Sequence, residues 1–232
     1  MRRVSGTTPA EFWDTVARDN AAWYVATEHT VVDSAFFAQG AVEADGYLAF
    51  CGLAVRPDDT VLEIGCGIGR MTHRLAELAA RVIATDVSQE MLDRAAKNLI
   101  GRPTVDYVLV AGDGTLPIPD ASVDLVFSYI TLQHVPSRDA QLRYLRESLR
   151  VLRSGGALAA QVRAGGVLAR AQDWAGHTAH FIRGRPTLHP AWRGAALRPT
   201  DILSISDQLQ IRRFNARHSW VVAHAVGIGA SS

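Results

Sequence analysis

Short apolar runs alternate with amphipathic segments through the middle of the chain. The apolar runs are typical of buried strands and lie at Thr60–Ile64, Val82–Thr85, Val105–Val110, Val123–Ser128 and Ala157–Val162. Between them, segments with helical character lie at Arg70–Ala80, Ser88–Leu99 and Ser137–Leu152, the second of them capped by Ser88. Apolar strands that alternate with amphipathic helices predict right-handed crossovers and a parallel sheet that is covered on both faces.

The two ends of the chain break this alternation. Pro9–Trp13 opens one predicted helix, and Ser34–Leu53 contains another. Near the other end, Leu209–Ala216 and Ser219–Val226 are predicted strands, with Arg217-His218 supplying the turn between them. Because a parallel pair needs a crossover of about a dozen residues or more, so short a connection predicts an antiparallel hairpin.

These patterns predict a single domain over residues 1–232. We expect a doubly wound, Rossmann-like α/β fold with a mostly parallel sheet, ending in an antiparallel hairpin at 208–226 and preceded by an N-terminal helical lid at 9–53. The core lies at 60–162. Residues 164–206 are poorly periodic and rich in Gly, Pro, His and Arg, and long segments of this kind are usually either functional or mobile. We expect them to form an insertion on the substrate side.

Composition limits the classes of protein that need to be considered. The chain has 232 residues, 48% of them hydrophobic, which suffices for one substantial core. No apolar run is close to the roughly 18–20 residues of a membrane span. The basic N-terminus is not followed by the apolar segment that a secretory signal would have. Cys51 and Cys66 lack metal-ligand spacing, so a reduced, cytoplasmic setting is the simplest expectation.

The net charge of +1 conceals an asymmetry between the two halves. Residues 1–135 carry 10 Arg or Lys against 18 Asp or Glu, whereas residues 136–232 carry 14 against 5, all 14 being arginine. Codon bias in a GC-rich genome is one explanation, and an anion-attracting face is the other. No dense basic run with interleaved aromatics occurs, so we expect no nucleic-acid partner.

The strongest local signal lies at Val61–Arg70. A strand leads directly into Gly65, Gly67 and Gly69 at alternate positions, and a helix begins at once. Glycines at these positions permit a sharp turn and let a ligand approach bare backbone at the helix N-terminus. A tight strand-to-helix connection with no ligand is the alternative explanation.

Two carboxylates add to the evidence for a ligand site at this glycine loop. Asp86 closes the second predicted strand, where an acid can accept hydrogen bonds from both ribose hydroxyls of a nucleoside. Asp113 follows the third strand, where it could accept from an exocyclic adenine amine. Either aspartate alone could be a helix cap or a turn former. Together with the glycines, they mark the carboxyl ends of successive strands, where open α/β sheets bind ligands.

Residues 60–162 resemble the class I S-adenosylmethionine-dependent methyltransferases. The motifs occur in the order and at the spacing of that family. The matching segments are Glu63–Gly69, Asp86, Gly112–Gly114 with Leu116-Pro117, Val123–Ser128 and Leu152–Leu158. The family also ends its sheet with an antiparallel strand, in agreement with the predicted hairpin.

The resemblance implies S-adenosylmethionine as the cofactor and S-adenosylhomocysteine as the product. The positions that it assigns to cofactor binding are Glu63, Gly65, Cys66, Gly67, Gly69, Asp86, Val87, Asp113, Gly114, Ser128 and Tyr129. The glycines would present backbone to the methionine part, with Glu63 near its amino group. Asp86 would hold the ribose, Asp113 with the next amide would read adenine, and Ser128 and Tyr129 would line the sulfonium end.

His134 is the candidate catalytic residue, on the carboxyl side of the fourth strand. Methyl transfer is an in-line displacement on an activated donor, so the protein mainly has to position the nucleophile. A general base is needed only if the acceptor begins protonated, and a histidine can titrate near neutral pH. The alternative is a loop histidine that orients backbone before the helix capped by Ser137.

Two outer regions are candidates for the substrate pocket. The N-terminal region holds the aromatics Trp13, Trp23, Tyr24, Phe36 and Phe37, which either pack as core or cover the cofactor and substrate. The second region holds Trp174, His177, His180, Arg183, Arg185, His189, Trp192 and Arg193. Its histidines match no standard metal-site spacing, so we expect no metal.

The function that these observations favour is methyl transfer to a small-molecule acceptor, with neither nucleic acid nor membrane as a partner. The segment Ser128–Thr131 stands where nucleic-acid methyltransferases carry an Asn/Asp-Pro-Pro-aromatic tetrad. A protein methyltransferase remains an alternative. So does a non-catalytic module that binds a nucleoside or a partner on the same fold, because fold alone does not settle function.

Overall fold

The fold was analysed in a computed structural model, which describes residues 8–26, 28–102, 104–163, 194–215 and 217–224. The helices are α1 (Pro9–Val25), α2 (Ser34–Cys51), α3 (Arg70–Leu78), α4 (Gln89–Asn98), α5 (Arg138–Val151) and α6 (Pro199–Leu203). The strands are β1 (Thr60–Ile64), β2 (Arg81–Asp86), β3 (Val105–Leu109), β4 (Val123–Ser128), β5 (Leu152–Arg163), β6 (Gln210–Arg213) and β7 (His218–His224).

The described strands form one sheet in the order β3-β2-β1-β4-β5-β7-β6. The first five strands in the chain run parallel, whereas β7 pairs antiparallel with β5, and β6 pairs antiparallel with β7. The predicted fold class is confirmed: a doubly wound sheet ends in an antiparallel hairpin. Because the strand order reverses between β1 and β4, their carboxyl ends form the crevice where such sheets bind ligands.

Both faces of the sheet are covered. Leu62 and Ile64 of β1 share a core cluster with Tyr144 of α5, whereas Val61 belongs to a second cluster with Leu75 of α3. Alternate residues of a strand point to opposite faces, so burial on both sides explains why these strands are apolar throughout. Helix α1 packs in a third cluster, against α2 and α4.

Hydroxyl side chains begin two of the helices as the sequence predicts. The Ser88 side chain accepts a hydrogen bond from the amide of Met91 at the start of α4, and Ser137 accepts one from the amide of Ala140 at the start of α5. These bonds satisfy amides that have no partner within their own helix.

The hairpin turn lies earlier in the chain than predicted. The expected turn at Arg217-His218 is wrong, because β7 already begins at His218 and β6 ends at Arg213. The physical reason is Asn215, whose side-chain oxygen accepts hydrogen bonds from the amides of Arg217 and His218, both at 2.8 Å. An asparagine that bonds the backbone two residues ahead forms a turn of its own and shortens the strand before it.

Strand β5 is longer than predicted and starts at Leu152 instead of Ala157. Its register against β4 shifts between Val123 and Leu125, and Gly155 has a φ of +79°. Residues 153–156, which lie between the predicted helix and the predicted strand, are therefore an irregular first part of the strand, where glycine accommodates a backbone that other residues rarely adopt.

Arginines in the second half of the chain form ion pairs inside the molecule. Among the described residues, this holds for Arg138, Arg143, Arg150, Arg153 and Arg198. The predicted histidine- and tryptophan-rich region (Trp174–Arg193) falls within 164–193, outside the described residues. Of the described helices, none has both the length and the apolar character needed to cross a membrane.

Candidate functional site

A cavity of about 990 Å³, counted with its open mouth, lies at the carboxyl ends of β1, β2 and β4. Eight of the residues predicted from the sequence line it, and they are Glu63, Gly65, Cys66, Gly67, Asp86, Val87, Tyr129 and His134. These residues come from separate strand ends, so the parallel sheet brings them together as the position of the motifs predicts.

The glycine loop after β1 needs its glycines for conformation and for space. Gly65 and Gly67 have φ values of +79° and +53°, which other residues rarely adopt. A Cβ at Gly65 would lie 2.2 Å from the side-chain Oγ1 and Cγ2 of Thr131. The loop after β4 therefore approaches the glycine loop so closely that only a bare backbone fits.

Asp86 at the end of β2 is held by the loops on either side of it. Its Oδ2 accepts a hydrogen bond from the Gly67 amide at 2.9 Å, and its Oδ1 accepts one from the Ser88 amide at 3.0 Å. Burial raises the pKa of Asp86 to about 6, against the opposing effect of these backbone bonds. Carboxylate oxygens have further lone pairs, so this group can still accept from a ligand.

Glu63 is the second-last residue of β1, and only 3% of it is exposed. The hydroxyl of Thr72 donates a hydrogen bond of 2.6 Å to its Oε2. Burial raises the pKa of Glu63 to about 7, and the nearby Asp86 contributes in the same direction. Glu63 is therefore a buried acid that titrates near neutral pH and would be stabilised in its charged form by a cation.

The loop after β4 carries the side chains that close the cavity next to the glycine loop. Ile130 has a φ of +54°, a strained conformation for a β-branched residue. Thr131 donates from its hydroxyl to the carbonyl oxygens of Gly65, at 3.2 Å, and Tyr129, at 3.1 Å. The hydroxyls of Tyr129 and Tyr47 of α2 are 2.8 Å apart. Burial raises the pKa of Tyr129, so this phenol stays protonated.

His134 ends a short 3-10 helix, Leu132–His134, and lines the cavity. Its amide donates to the carbonyl oxygen of Thr131 at 2.9 Å. The ring of Trp13 from α1 meets the imidazole edge to face, with 5.5 Å between the ring centroids. The histidine is therefore part of the cavity wall.

Helix α1 forms a further wall of the cavity. Some of the N-terminal aromatics line the cavity and others pack in the core, which are the two roles that the sequence left open. Trp13 and Tyr24 line the cavity, whereas Phe36 is fully buried among the helices. Phe37 stacks on His73, away from the cavity lining. Helix α1 is tied to α4 by Asp14, which accepts a hydrogen bond from the hydroxyl of Ser88.

Asp113 and Gly114 are not brought to the cavity. The Asp113 carboxylate is half exposed and accepts from both the amide and the hydroxyl of Thr115. Gly114 is buried against α5, where a Cβ would lie 2.4 Å from the Ala140 carbonyl oxygen. Gly112 lines the cavity in their place. Asp113 thus has the contacts of a turn former, which was the alternative interpretation of this residue.

Ser128 and Gly69 also lie outside the cavity lining. The Ser128 hydroxyl is buried and donates to the carbonyl oxygen of Ile64 at 3.1 Å, which ties β4 to β1. Gly69 precedes α3 with a φ of +89°, and a Cβ there would lie 3.0 Å from Leu99. Both residues therefore lie behind the residues that line the cavity and pack against the elements that form its walls.

Sequence reasoning missed several residues of the lining. Arg70, Met71, Met91, Val110 and Tyr144 line the cavity without having been assigned to it. For Arg70, the one signal in the sequence was its position directly after the glycine motif. The other four residues are apolar or aromatic, and the sequence alone does not distinguish such residues from residues of the hydrophobic core. Within the described residues, no group of three or more His, Cys, Asp or Glu side chains could hold a metal ion.

Comparisons with known proteins agree with this geometry. A family model described as a methyltransferase domain matches residues 62–160. The 27-O-demethylrifamycin SV methyltransferase of Amycolatopsis mediterranei is 36% identical over 110 residues, which are 46% of this chain and 39% of that protein. A probable S-adenosylmethionine-dependent methyltransferase of Mycobacterium tuberculosis is 38% identical over 98 residues, 42% of this chain and 33% of that protein. The chain thus spans less than half the length of these relatives.

The fold has a counterpart among solved structures. The N-methyltransferase NodS from Bradyrhizobium japonicum, solved with S-adenosylhomocysteine, gives a TM-score of 0.63 at 15% identity, covering 94% of this chain and 99% of that one. At this identity the likeness concerns the fold alone. Residues 62–160 therefore match a methyltransferase domain in sequence, and the mostly parallel sheet with its terminal hairpin agrees with that match.

Proposed function

We propose that the protein transfers a methyl group from S-adenosylmethionine to a small-molecule acceptor. The observation that carries this proposal is the cavity in which the glycine loop and Asp86 meet. The Gly67 amide donates a hydrogen bond of 2.9 Å to the Asp86 carboxylate, beside the loop backbone that lines the cavity. A nucleoside with a charged tail fits such a site, because the acid accepts from the ribose and the loop receives the tail.

The cofactor roles follow the positions of the lining residues. Gly65, Cys66 and Gly67 present loop backbone to the methionine part, and Glu63 accepts from its ammonium group. Asp86, with Val87 beside it, binds the ribose hydroxyls. These residues all line the cavity. For the adenine end, the backbone at Gly112 and the side chain of Val110 are better placed than Asp113 and Gly114. Tyr129 borders the sulfonium end, and Ser128 and Gly69 act by supporting the loops.

The chemical step requires a lone pair of the acceptor in line with the methyl carbon and the sulfur. The new bond forms between the acceptor atom and the methyl carbon as the carbon–sulfur bond breaks, and the electron pair stays on sulfur in S-adenosylhomocysteine. Where the acceptor is a hydroxyl or an ammonium group, a neutral His134 accepts its proton. General-base help of this kind contributes about 10²–10⁴-fold in rate.

The lining favours an apolar small molecule as the acceptor. Near His134, the cavity wall consists of Trp13, Ile130, Val135 and Pro136. Apolar walls with few polar groups are typical of small-molecule sites. The rifamycin methyltransferase among the relatives acts, by its name, on the small molecule 27-O-demethylrifamycin SV. A protein substrate is the second candidate within the same chemistry, and nucleic acid is disfavoured by the sequence.

We also propose that the protein works in a reducing compartment such as the cytoplasm. Cys51 and Cys66 are free thiols, both buried. Burial raises the pKa of Cys66 well above its ordinary value, so this thiol in the glycine loop stays protonated and unreactive. Free structural cysteines of this kind are usual where thiols are kept reduced.

Two measurements test the proposal. Calorimetry with S-adenosylhomocysteine should give saturable, one-site binding to the purified protein. With S-adenosylmethionine and a panel of apolar hydroxyl and amine compounds, at least one acceptor should gain 14 mass units as S-adenosylhomocysteine is released. In the second assay, His134→Gln is measured beside the wild type to test the general-base role. Absence of binding would overturn the cofactor assignment, and tight binding without turnover on small molecules, peptides or extract would support the non-catalytic alternative instead.

A further inference from the structure

Gln141 of α5 is a buried polar residue that the proposed roles leave unused. Its relative exposure to solvent is 0%. Burying an amide side chain costs free energy unless its polar atoms form hydrogen bonds. Gln141 is not among the residues that line the cavity, so its contacts within the protein have to explain why a polar group lies there.

The side-chain amide of Gln141 joins two loops. Its Nε2 donates hydrogen bonds to the carbonyl oxygens of Val135, at 2.8 Å, and Ala195, at 3.0 Å. The Ala195 amide donates to the same Val135 oxygen at 2.9 Å. Because both side-chain bonds end on carbonyl oxygens, only the NH2 end of the amide can make them. A carboxylate or an apolar side chain of the same length therefore cannot replace it.

Val135 directly follows the 3-10 helix Leu132–His134, whose last residue is the candidate base. Within this turn, the amide of His134 donates to the carbonyl oxygen of Thr131 at 2.9 Å, and the amide of Val135 donates to that of Leu132 at 3.1 Å. These bonds give the turn its shape. Only the bonds to the Val135 carbonyl oxygen attach its end to α5 and to Ala195.

Residues 194–197 lie against the same turn. A Cβ at Gly194 would lie 1.8 Å from the Gln133 carbonyl oxygen and 2.9 Å from the Cα of His134, so the two backbones are in direct contact. Leu197 anchors this segment, because its amide donates to the last carbonyl oxygen of β5 at 3.1 Å and its side chain is buried in the core. The turn that carries His134 is therefore held between α5 and residues 194–197.

We propose that Gln141 is a positioning residue that holds His134 in place on the acceptor side of the cavity. This inference rests on the proposed function, since it concerns the acceptor side of the same site. Without the side-chain donors, one backbone bond joins Val135 to Ala195, and the turn is free to shift. A base has to lie within hydrogen-bond reach of the proton that it accepts, so a small shift lowers the rate and leaves cofactor binding unchanged.

Two substitutions disturb the turn from different sides. Gln141→Met removes both donors and keeps a side chain of similar length. Gly194→Ala adds a methyl group that displaces the Gln133 carbonyl oxygen, and Gly194 is partly exposed, so this variant does not create a defect in the core. Both variants should bind S-adenosylhomocysteine in calorimetry with the dissociation constant of the wild type.

Ser148→Ala is the matched control. Ser148 is also buried in α5, about two turns further along the helix, and its hydroxyl donates to the carbonyl oxygen of Tyr144 at 2.7 Å. The control therefore loses a buried bond from a side chain of α5 to backbone, as Gln141→Met does, but not one to the turn. It should leave His134 and turnover unaffected.

The first measurement needs no acceptor and no cofactor. In NMR spectra of protein labelled at histidine, the imidazole signal that is absent from His134→Gln belongs to His134. This signal should shift in Gln141→Met and in Gly194→Ala, and it should stay in place in Ser148→Ala. A substitution that only lowers the stability of the fold would not move it.

The second measurement is a double-mutant cycle on turnover, with the acceptor that the panel of hydroxyl and amine compounds yields. In the wild-type background, Gln141→Met should lower kcat at least about tenfold, as expected when a catalytic group is misplaced by about 1 Å. In the His134→Gln background the same substitution should change kcat little, because no base is left to position.

Three results would overturn the assignment. An unchanged His134 signal or unchanged turnover in Gln141→Met would show that the turn keeps its place without the amide. Equal losses of turnover in the two backgrounds would mean that Gln141 does not act through His134. Weaker binding of S-adenosylhomocysteine in the same variant would make Gln141 a residue of the general fold. Wild-type protein that neither binds S-adenosylhomocysteine nor methylates any acceptor would refute the proposed function instead, and the NMR comparison would still decide whether Gln141 places His134.

Discussion

Gly65→Ala is the substitution whose cost the structure defines best. The residue has a φ of +79°, and a Cβ there would lie 2.2 Å from two side-chain atoms of Thr131. The alanine therefore meets two separate penalties. One is the left-handed backbone, which costs an L residue about 1–2 kcal/mol. The other is overpacking, which typically costs about 1–3 kcal/mol more.

Gly101→Ala separates the two penalties. Gly101 has a similar φ of +85°, but no atom of the described residues would lie within 4 Å of its Cβ. It should lose only the backbone contribution. In urea denaturation followed by circular dichroism, Gly65→Ala should therefore be destabilised by about 1–3 kcal/mol more than Gly101→Ala.

The overpacking should also reach ligand binding. Thr131 joins the loop after β4 to the glycine loop through its bonds to the carbonyl oxygens of Gly65 and Tyr129. To accommodate a new methyl group, one of these loops has to move, and both line the cavity. In calorimetry we expect Gly65→Ala to bind S-adenosylhomocysteine at least about tenfold more weakly, and Gly101→Ala to bind it as the wild type does.

A second substitution tests the cause. Thr131→Gly removes the clashing side chain. Measured against Thr131→Gly alone, the added cost of Gly65→Ala should therefore fall to about that of Gly101→Ala, which is the backbone penalty. Overpacking against Thr131 is excluded if the single variant Gly65→Ala is no less stable than Gly101→Ala and binds the ligand with wild-type affinity.

Three further predictions concern single side chains around the cavity. Asp86→Ala should weaken S-adenosylhomocysteine binding by about 1–3 kcal/mol in calorimetry, because buried ribose hydroxyls lose their acceptor. Burial raises the pKa of Asp86 to about 6 and that of Glu63 to about 7, so both gain negative charge as the pH rises, and wild-type affinity should increase between about pH 5 and pH 8. His134→Gln should lower turnover by about 10²–10⁴-fold with an unchanged dissociation constant for S-adenosylhomocysteine, measured by steady-state kinetics and calorimetry. Ser88→Ala removes the cap on the Met91 amide and should cost about 1 kcal/mol in urea denaturation.

Each of these expectations has a result that contradicts it. An unchanged dissociation constant in folded Asp86→Ala would remove its role at the ribose, and affinity independent of pH would exclude ionisation of both acids over that range. Near-full turnover in His134→Gln would return the histidine to an orienting role. Ser137→Ala is the control for Ser88→Ala, because it caps α5 in the same way without a bond to α1. Ser88 also donates to Asp14, so Ser88→Ala should lose at least as much stability as its control.

The sequence determined the elements and their order because the signals for them are local. β1 and β4 begin and end at the predicted residues, and Ser88 and Ser137 cap helices as expected. Apolar runs, capping hydroxyls and glycines at alternate positions act on residues a few places away. The crevice also followed, since the carboxyl ends of parallel strands meet at one edge of the sheet. That is why eight of the predicted site residues do line the cavity.

The tertiary structure alone decided which side chains face the cavity. Asp113 accepts hydrogen bonds from Thr115, two residues later in the chain, a contact that the motif could not reveal. Arg70 meets Glu43 only because α2 packs on α3, 27 positions apart in sequence. The ring of Trp13 contacts that of His134, a residue far away in the sequence. Such contacts depend on the angle and distance at which helices pack on the sheet, which are set by the whole core and not by any local run of residues.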